Sequence, residues 1–113
     1  MEKRFFFRVN LSHEIEFVKL DSTTLSVTSS SLAGQLSDIS GGGLSFYTKS
    51  NLEVGHLIEI ALKTREDRLL LLSRVVRKEE REMADYYAVK FLHLDQKTET
   101  KLIRFINHLQ KEQ

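Results

Sequence analysis

The chain has 113 residues, of which 41% are hydrophobic, and seventeen Lys and Arg against sixteen Asp and Glu give a formal net charge of +1. This length and apolar content predict one domain with a hydrophobic core of its own. The nearly balanced charge disfavours binding to a nucleic-acid polymer or to an anionic membrane surface. Cysteine is absent, which excludes a disulfide framework and a thiolate metal site.

No segment of the sequence is typical of a secretion signal or a membrane span. Phe5, Phe6 and Phe7 are flanked by charged residues, and this run is far shorter than the core of a signal peptide. The longest apolar run, Leu69 to Leu72, is too short to cross a bilayer. We therefore expect a soluble, cytoplasmic protein without membrane insertion.

The first half of the chain alternates between apolar and polar residues, which predicts β-strands. Apolar residues at odd positions from Val9 to Phe17 indicate a half-buried strand. The polar residues 21–24 predict a turn, and Leu25 and Val27 then resume the alternating pattern of a strand.

A glycine triplet at residues 41–43 predicts a tight change of direction. The run from Leu32 to Ile39 leads into this triplet, and the strand pattern resumes with Leu44 and Phe46. Alternation from Ile58 to Leu62 predicts a further strand.

The last part of the chain changes from strands to a helix. Leu69 to Val76 is apolar on both faces, which is typical of a strand that is covered on both sides, and the charge run 78–82 predicts a solvated hairpin end. Tyr87 to Phe91 alternates as a final strand. Residues 102–109 then follow helical spacing, and Asp95 is placed to cap this helix. Short strands with one helix favour a small barrel.

Two segments carry most of the functional information in the sequence. Arg4 and Arg8 flank the three phenylalanines, and in an extended chain they would lie about 13 Å apart on the same side. The segment Asp38-Ile39-Ser40-Gly41-Gly42-Gly43 begins thirty residues after Arg8.

In their order and separation these segments resemble the RxxxR and (D/N)xSxxG signatures of the PilZ domain, the bacterial receptor module for cyclic dimeric GMP. The resemblance covers essentially the whole chain and implies a mostly β fold, a small six-stranded antiparallel β-barrel with a C-terminal α-helix and a flexible N-terminal arm. It divides the single domain into a ligand-binding arm (1–8), the barrel (9–94) and the helix (95–111). One departure is Ala88, where the family often has glycine.

The resemblance also implies a role for each motif residue. Arg4 and Arg8 would clamp guanine and phosphate groups, Asp38 and Ser40 would contact guanine, and Gly43 would preserve the loop. The residue types suit such a ligand, because a guanidinium can donate to guanine N7 and O6 or grip a phosphate with two hydrogen bonds. A carboxylate can accept hydrogen bonds from the guanine N1 and N2 hydrogens.

Five further residues are weaker candidates for contact with the ligand. Lys3 precedes the first arginine, at a position that in the family is associated with binding of one nucleotide or a stacked pair. Gly41 and Gly42 could adopt positive φ and let the backbone approach the ligand closely. Arg74 and Arg77 resemble a basic position on a late strand that sometimes touches the ligand.

The sequence gives no indication of an enzyme, because it has no paired carboxylates and no nucleophile constellation. Its four histidines are widely spaced, so we expect no metal site, and no cofactor apart from cyclic di-GMP as ligand. The resemblance implies a sensor that changes conformation on binding the nucleotide and regulates an unidentified protein partner in bacterial motility, biofilm formation or virulence.

Two other functions remain open at this stage. One is a nucleotide-independent adaptor that binds a partner protein, which the intact motifs disfavour. The other is a small barrel that binds RNA or DNA, which the net charge disfavours. Because both motifs lie outside the alternating core, we predict that Arg8→Ala and Asp38→Ala remove nucleotide binding while the fold stays intact.

Overall fold

The computed structural model describes residues 6–8, 13–65 and 67–111. Within these residues seven strands precede one helix. They are β1 (Phe6–Arg8), β2 (Glu14–Leu20), β3 (Leu32–Ser40), β4 (Gly43–Thr48), β5 (Leu57–Lys63), β6 (Arg68–Glu79), β7 (Asp85–Phe91) and α1 (Gln96–Lys111). No helix within the described ranges is both long and apolar enough to span a membrane.

Six of the strands close into an antiparallel β-barrel, which confirms the predicted fold class. Their order around the barrel is β2, β3, β4, β7, β6 and β5, and β5 pairs again with β2. The short strand β1 pairs with residues 38–40 of β3, on the edge that β2 occupies further along. Residues 1–5 of the predicted flexible arm lie outside the described residues.

The barrel interior holds one hydrophobic core to which all six barrel strands and the helix contribute. Along most of the barrel wall alternate residues face this core, because successive side chains of a strand point to opposite faces. The largest fully buried side chains of the core include Phe17, Leu36, Phe46, Ile60, Leu71, Tyr87 and Leu102. Burying a large apolar side chain contributes roughly 1.5 to 3 kcal/mol, and this core therefore dominates the stability of the domain.

The C-terminal helix packs its apolar face against this core. The predicted cap is confirmed, since the Thr98 backbone N–H donates to Asp95 Oδ1 at 2.7 Å. The buried residues of the helix are Leu102, Phe105, Ile106 and Leu109. Phe105 also meets the ring of His13 edge-on at 5.3 Å, so the helix lies beside the start of β2.

Predictions for two strands near the N-terminus have different outcomes. Of the strand predicted from Val9, residues 9–12 lie outside the described residues, His13 is not in a strand, and β2 covers Glu14–Leu20. Leu25 and Val27 do not form a strand, and each exposes half or more of its surface.

Local hydrogen bonds explain why the alternating pattern fails at Leu25. Asp21 Oδ1 accepts hydrogen bonds from the backbone N–H groups of Thr23 and Thr24, which closes the predicted polar turn. Leu25 continues this turn with a φ of 62°, outside the β region. Val27 keeps only an isolated bridge to Leu20.

The prediction that β6 is covered on both faces is also wrong. Leu69, Leu71 and Val75 are buried, but Leu70 is 53% exposed and Val76 is 50% exposed. A barrel wall has only one inner face, and the outward side chains of Leu70, Arg74 and Val76 are exposed while Leu72 is half-buried. Apolar residues on both faces of a strand therefore do not show that both faces are buried.

Candidate functional site

The two sequence motifs meet across the strands β1 and β3. In their antiparallel register Arg8 lies opposite Asp38, and Phe6 lies opposite Ser40. Directly opposed residues of antiparallel strands have Cα atoms about 4.5 to 5.5 Å apart. The fold thus makes neighbours of two segments that are thirty residues apart in sequence. Lys3 and Arg4 lie outside the described residues.

A β-bulge in β3 sets the direction of Asp38. Leu36 pairs with Phe46, yet Asp38 pairs with Ser45, so the register shifts by one residue between them. Without this shift, period-two alternation would turn Asp38 inward with Leu36; with it, Ile39 faces the core and Asp38 faces outward. Bulges of this kind commonly aim a side chain beside a functional site.

Asp38 is nevertheless buried, with 7% of its surface exposed. Its Oδ2 accepts hydrogen bonds from Ser45 Oγ at 3.0 Å and from Ser37 Oγ at 3.3 Å. These two hydroxyls fix the orientation of the carboxylate. Asp38 therefore lies outside the hydrophobic core, as predicted, but its truncation to alanine would also remove a buried hydrogen bond.

Ser40 stabilises the turn between β3 and β4. Its Oγ donates to the Gly43 carbonyl and accepts from the Gly42 backbone N–H, each at 3.3 Å. This is local turn chemistry of the kind that serine hydroxyls commonly provide. These hydrogen bonds give the hydroxyl a structural function. Ser40 is only partly buried and also faces the outer surface of the turn.

The three glycines of the turn have different structural requirements. A Cβ on Gly43 would lie 2.2 Å from the carbonyl oxygen of Val89, so only glycine allows β4 to approach β7 this closely. Cβ atoms on Gly41 or Gly42 would meet nothing within 4 Å. The turn does not use the capacity of these glycines for positive φ, because among the described glycines only Gly55 has a positive φ.

A row of outward-facing residues runs from Asp38 across three further strands. Asp38 pairs with Ser45, Ser45 with Ala88, and Ala88 with Arg77. A second bulge, between Val75 and Arg77, turns Arg77 to the outer face in the same way that the first bulge turns Asp38. Both ends of this row therefore depend on a bulge.

Arg77 at the far end of the row is engaged by neighbouring side chains. Its Nη2 lies 2.9 Å from Glu79 Oε2, and its guanidinium carbon lies 5.4 Å from the centre of the Tyr86 ring. The other oxygen of Glu79 accepts from Arg81 Nη2 at 2.9 Å. The hydrogen bond from Arg81 is the main cause that lowers the pKa of Glu79, and the Arg77 charge adds to it.

A parallel row begins at the glycine turn. Gly43 pairs with Lys90, and Lys90 pairs with Arg74. On β4 and β7 the two rows are two residues apart, which is about 6.6 Å, and on β6 the bulge separates them by three residues. Arg74, predicted from sequence, thus lies near the turn, whereas Lys90 and Ser45 were missed because their placement depends on long-range register.

The structure has a separate cleft away from the motif residues. It has a volume of about 270 Å³ and lies between the β5–β6 turn and α1, with Arg65, Lys101, Arg104 and Lys111 on its walls. Lys101 Nζ forms an ion pair with Asp67 there. None of the described site residues predicted from sequence lines this cleft. Among the described residues there is also no group of three or more His, Asp or Glu side chains that could hold a metal ion.

The fold and the adjoining motifs define the class of this protein as a small closed antiparallel β-barrel with a C-terminal helix. The family model of the PilZ domain matches residues 2–108, and the chain therefore belongs to the PilZ domain family. Curated proteins show no significant sequence match to the chain.

Solved structures of PilZ proteins share the fold at low sequence identity. A crystal structure of YcgR in complex with c-di-GMP from Escherichia coli aligns with a TM-score of 0.74 at 21% identity, over 98% of this chain and 46% of that one. The PilZ domain of YcgR with c-di-GMP, also from Escherichia coli, aligns with a TM-score of 0.65 at 20% identity, over 98% of this chain and 94% of that one.

A third similar structure is the Bacillus subtilis inhibitor of motility, MotI/DgrA. It aligns with a TM-score of 0.73 at 10% identity, over 100% of this chain and 54% of that one. The chain thus spans about half the length of this protein and of the YcgR complex.

Proposed function

We propose that this PilZ domain is a cyclic di-GMP receptor whose ligand lies on the outer face of the barrel where β1, β3 and β4 meet. The observation that carries this proposal is the register that sets Arg8 opposite Asp38. It joins the two motifs that the family resemblance assigns to one ligand. The similar structures of YcgR and of its PilZ domain are complexes with c-di-GMP, which supports the same ligand class.

The chemistry of the residues supports distinct roles toward the nucleotide. Arg4 and Arg8 would grip phosphate groups and guanine edges with paired donors. Asp38 would accept hydrogen bonds from the N1 and N2 hydrogens of guanine, and its carboxylate is already oriented by Ser45. Ser40 would contact the same base, and Gly43 would keep the turn in shape.

Some of the weaker candidates also fit this arrangement. Gly41 and Gly42 are exposed and would leave room for the base beside the turn. Arg74 and Arg77 lie on the outer face, on the two rows that start from Gly43 and Asp38. Lys3 would adjoin the first arginine and affect the number of nucleotides bound.

The receptor would act through contact with another protein and perform no chemistry of its own. Binding would order the N-terminal arm over the outer face of β3, and this would change the surface that a partner meets. We propose a cytoplasmic role in bacterial motility, biofilm formation or virulence. The structural similarity to the Bacillus subtilis inhibitor of motility supports a role in motility.

Calorimetric titration with cyclic di-GMP tests the proposal, with GMP and cyclic di-AMP as ligand controls. We expect saturable binding of cyclic di-GMP alone, and a loss of at least tenfold in affinity in Arg8→Ala and in Asp38→Asn, because each removes a charge-assisted contact. Lys49→Ala, at the end of β4 away from Gly43, should bind as the wild type does.

The choice of Asp38→Asn over Asp38→Ala follows from the burial of this residue. Asparagine retains an acceptor for Ser45, so a loss of binding would not be confused with a loss of fold. If the folded wild-type protein does not bind cyclic di-GMP, the receptor proposal is wrong. A nucleotide-independent adaptor would then be the better account.

A further inference from the structure

Lys90 lies next to the proposed ligand site, although neither sequence motif contains it. It pairs with Gly43 on one side and with Arg74 on the other. Val89 and Phe91 are buried, so Lys90 points to the outer face, and it is exposed there. Asp38 and Ser45 occupy the next row on the same face, about 6.6 Å away along the strands.

The cationic side chains on this face differ in the contacts that they make within the protein. Arg77 is ion-paired with Glu79 and stacked on Tyr86. No ion pair or hydrogen bond within the described part of the chain engages the side chains of Lys90 or Arg74. Two adjacent cations that lack carboxylate partners repel each other, and an anion between them would relieve this repulsion.

We infer that Lys90, together with Arg74, binds a phosphate group of the nucleotide at the edge of the site formed by the glycine turn. This inference rests on the proposed function and adds a binding residue to it. The ammonium group of lysine is a compact charge with three donors, which suits a phosphate oxygen. Arg74 beside it can add two parallel hydrogen bonds to the same group. The bases would then remain on the Asp38 row.

Calorimetric titration with cyclic di-GMP at low and high salt tests this inference in Lys90→Gln and Arg74→Gln. Each substitution should weaken binding about three- to tenfold at low salt, because one charge-assisted contact to the phosphate is lost. Raising the salt should weaken the wild type more than either variant, since the lost interaction is the one that salt screens. Lys90→Arg should stay within about twofold of the wild type, because it keeps the charge.

Lys49→Gln is the matched control, because it removes one exposed lysine that directly follows β4, at the end of the strand opposite to Gly43. If Lys90→Gln binds as tightly as Lys49→Gln, and with the same salt dependence as the wild type, this inference is wrong while the receptor proposal stands. If the folded wild type does not bind the nucleotide, the receptor proposal fails first and this inference fails with it. Urea unfolding of each variant would show whether weaker binding reflects a loss of fold.

Discussion

The glycine turn shows how one missing Cβ can determine the geometry of a site. Gly43 allows the start of β4 to lie against β7, and this contact brings the turn beside Lys90 and the Asp38 row. Ser40 then closes the turn through its hydroxyl. The residues that would contact the ligand are thus positioned by residues that shape the backbone.

Substitution of the turn glycines should separate this packing requirement from simple backbone freedom. Gly43→Ala should lower the free energy of unfolding by about 1 to 3 kcal/mol, because its Cβ would overlap the Val89 carbonyl oxygen and force the strands apart. Gly42→Ala should cost much less, since open space surrounds that position. Urea unfolding measures both variants, and equal costs would contradict this explanation.

At the level of elements, the capped helix adds a pH-dependent contribution to stability. The hydrogen bond from the Thr98 backbone N–H lowers the pKa of Asp95 below its ordinary value of 3.8. A carboxylate whose pKa is lower in the folded state stabilises that state above its unfolded pKa, and the contribution is lost as the pH falls through the folded pKa. The cap should therefore weaken between about pH 5 and the acid limit.

Thermal unfolding followed by circular dichroism at pH 6 and at pH 3 tests this contribution. Asp95→Asn should unfold within a few degrees of the wild type at pH 6, because asparagine also caps helices well. Its midpoint should then fall less between the two pH values. Asp95→Ala should be less stable than Asp95→Asn at pH 6. An unchanged pH dependence in Asp95→Asn would show that the Asp95 charge does not stabilise the helix.

Several elements could be predicted from sequence because their signals are local. The β3–β4 hairpin follows from the glycine triplet between two alternating runs, and α1 follows from its apolar spacing and the Asp95 cap. The exposure of Leu70 and Val76 could not be predicted, since an apolar residue does not reveal whether another element covers it. At Leu25, hydrogen bonds within the turn override the alternating pattern.

The residues of the proposed site were harder to predict, because their neighbours depend on register. The motifs identify Asp38, yet its outward direction depends on a bulge that period-two alternation does not reveal. The pairing of Lys90 with Gly43 joins positions that lie 47 residues apart in sequence and is set by the pairing of β4 with β7. Motifs therefore indicated the chemistry, whereas barrel closure determined which residues meet.

For the molecule as a whole, barrel closure makes one outer face continuous from β1 to β6. Asp38, Ser45, Ala88 and Arg77 follow one another across four strands of this face, and the backbone of Arg8 in β1 pairs with that of Asp38. A ligand that covered this face would contact the first described strand, β1, and also the hairpin of the last two strands, β6 and β7. The cleft beside α1 is a distinct surface with a different set of residues.

The most direct test of the receptor account is a backbone amide NMR titration with cyclic di-GMP, because it reports both binding and location. We predict saturable shift changes centred on residues 38–45 and 88–90, and small changes at residues 64–68 and 101–111. The Asp38→Asn variant should give no such changes at the same nucleotide concentration. Shifts concentrated at the cleft between the β5–β6 turn and α1, or no shifts at all in the folded protein, would contradict the proposed site.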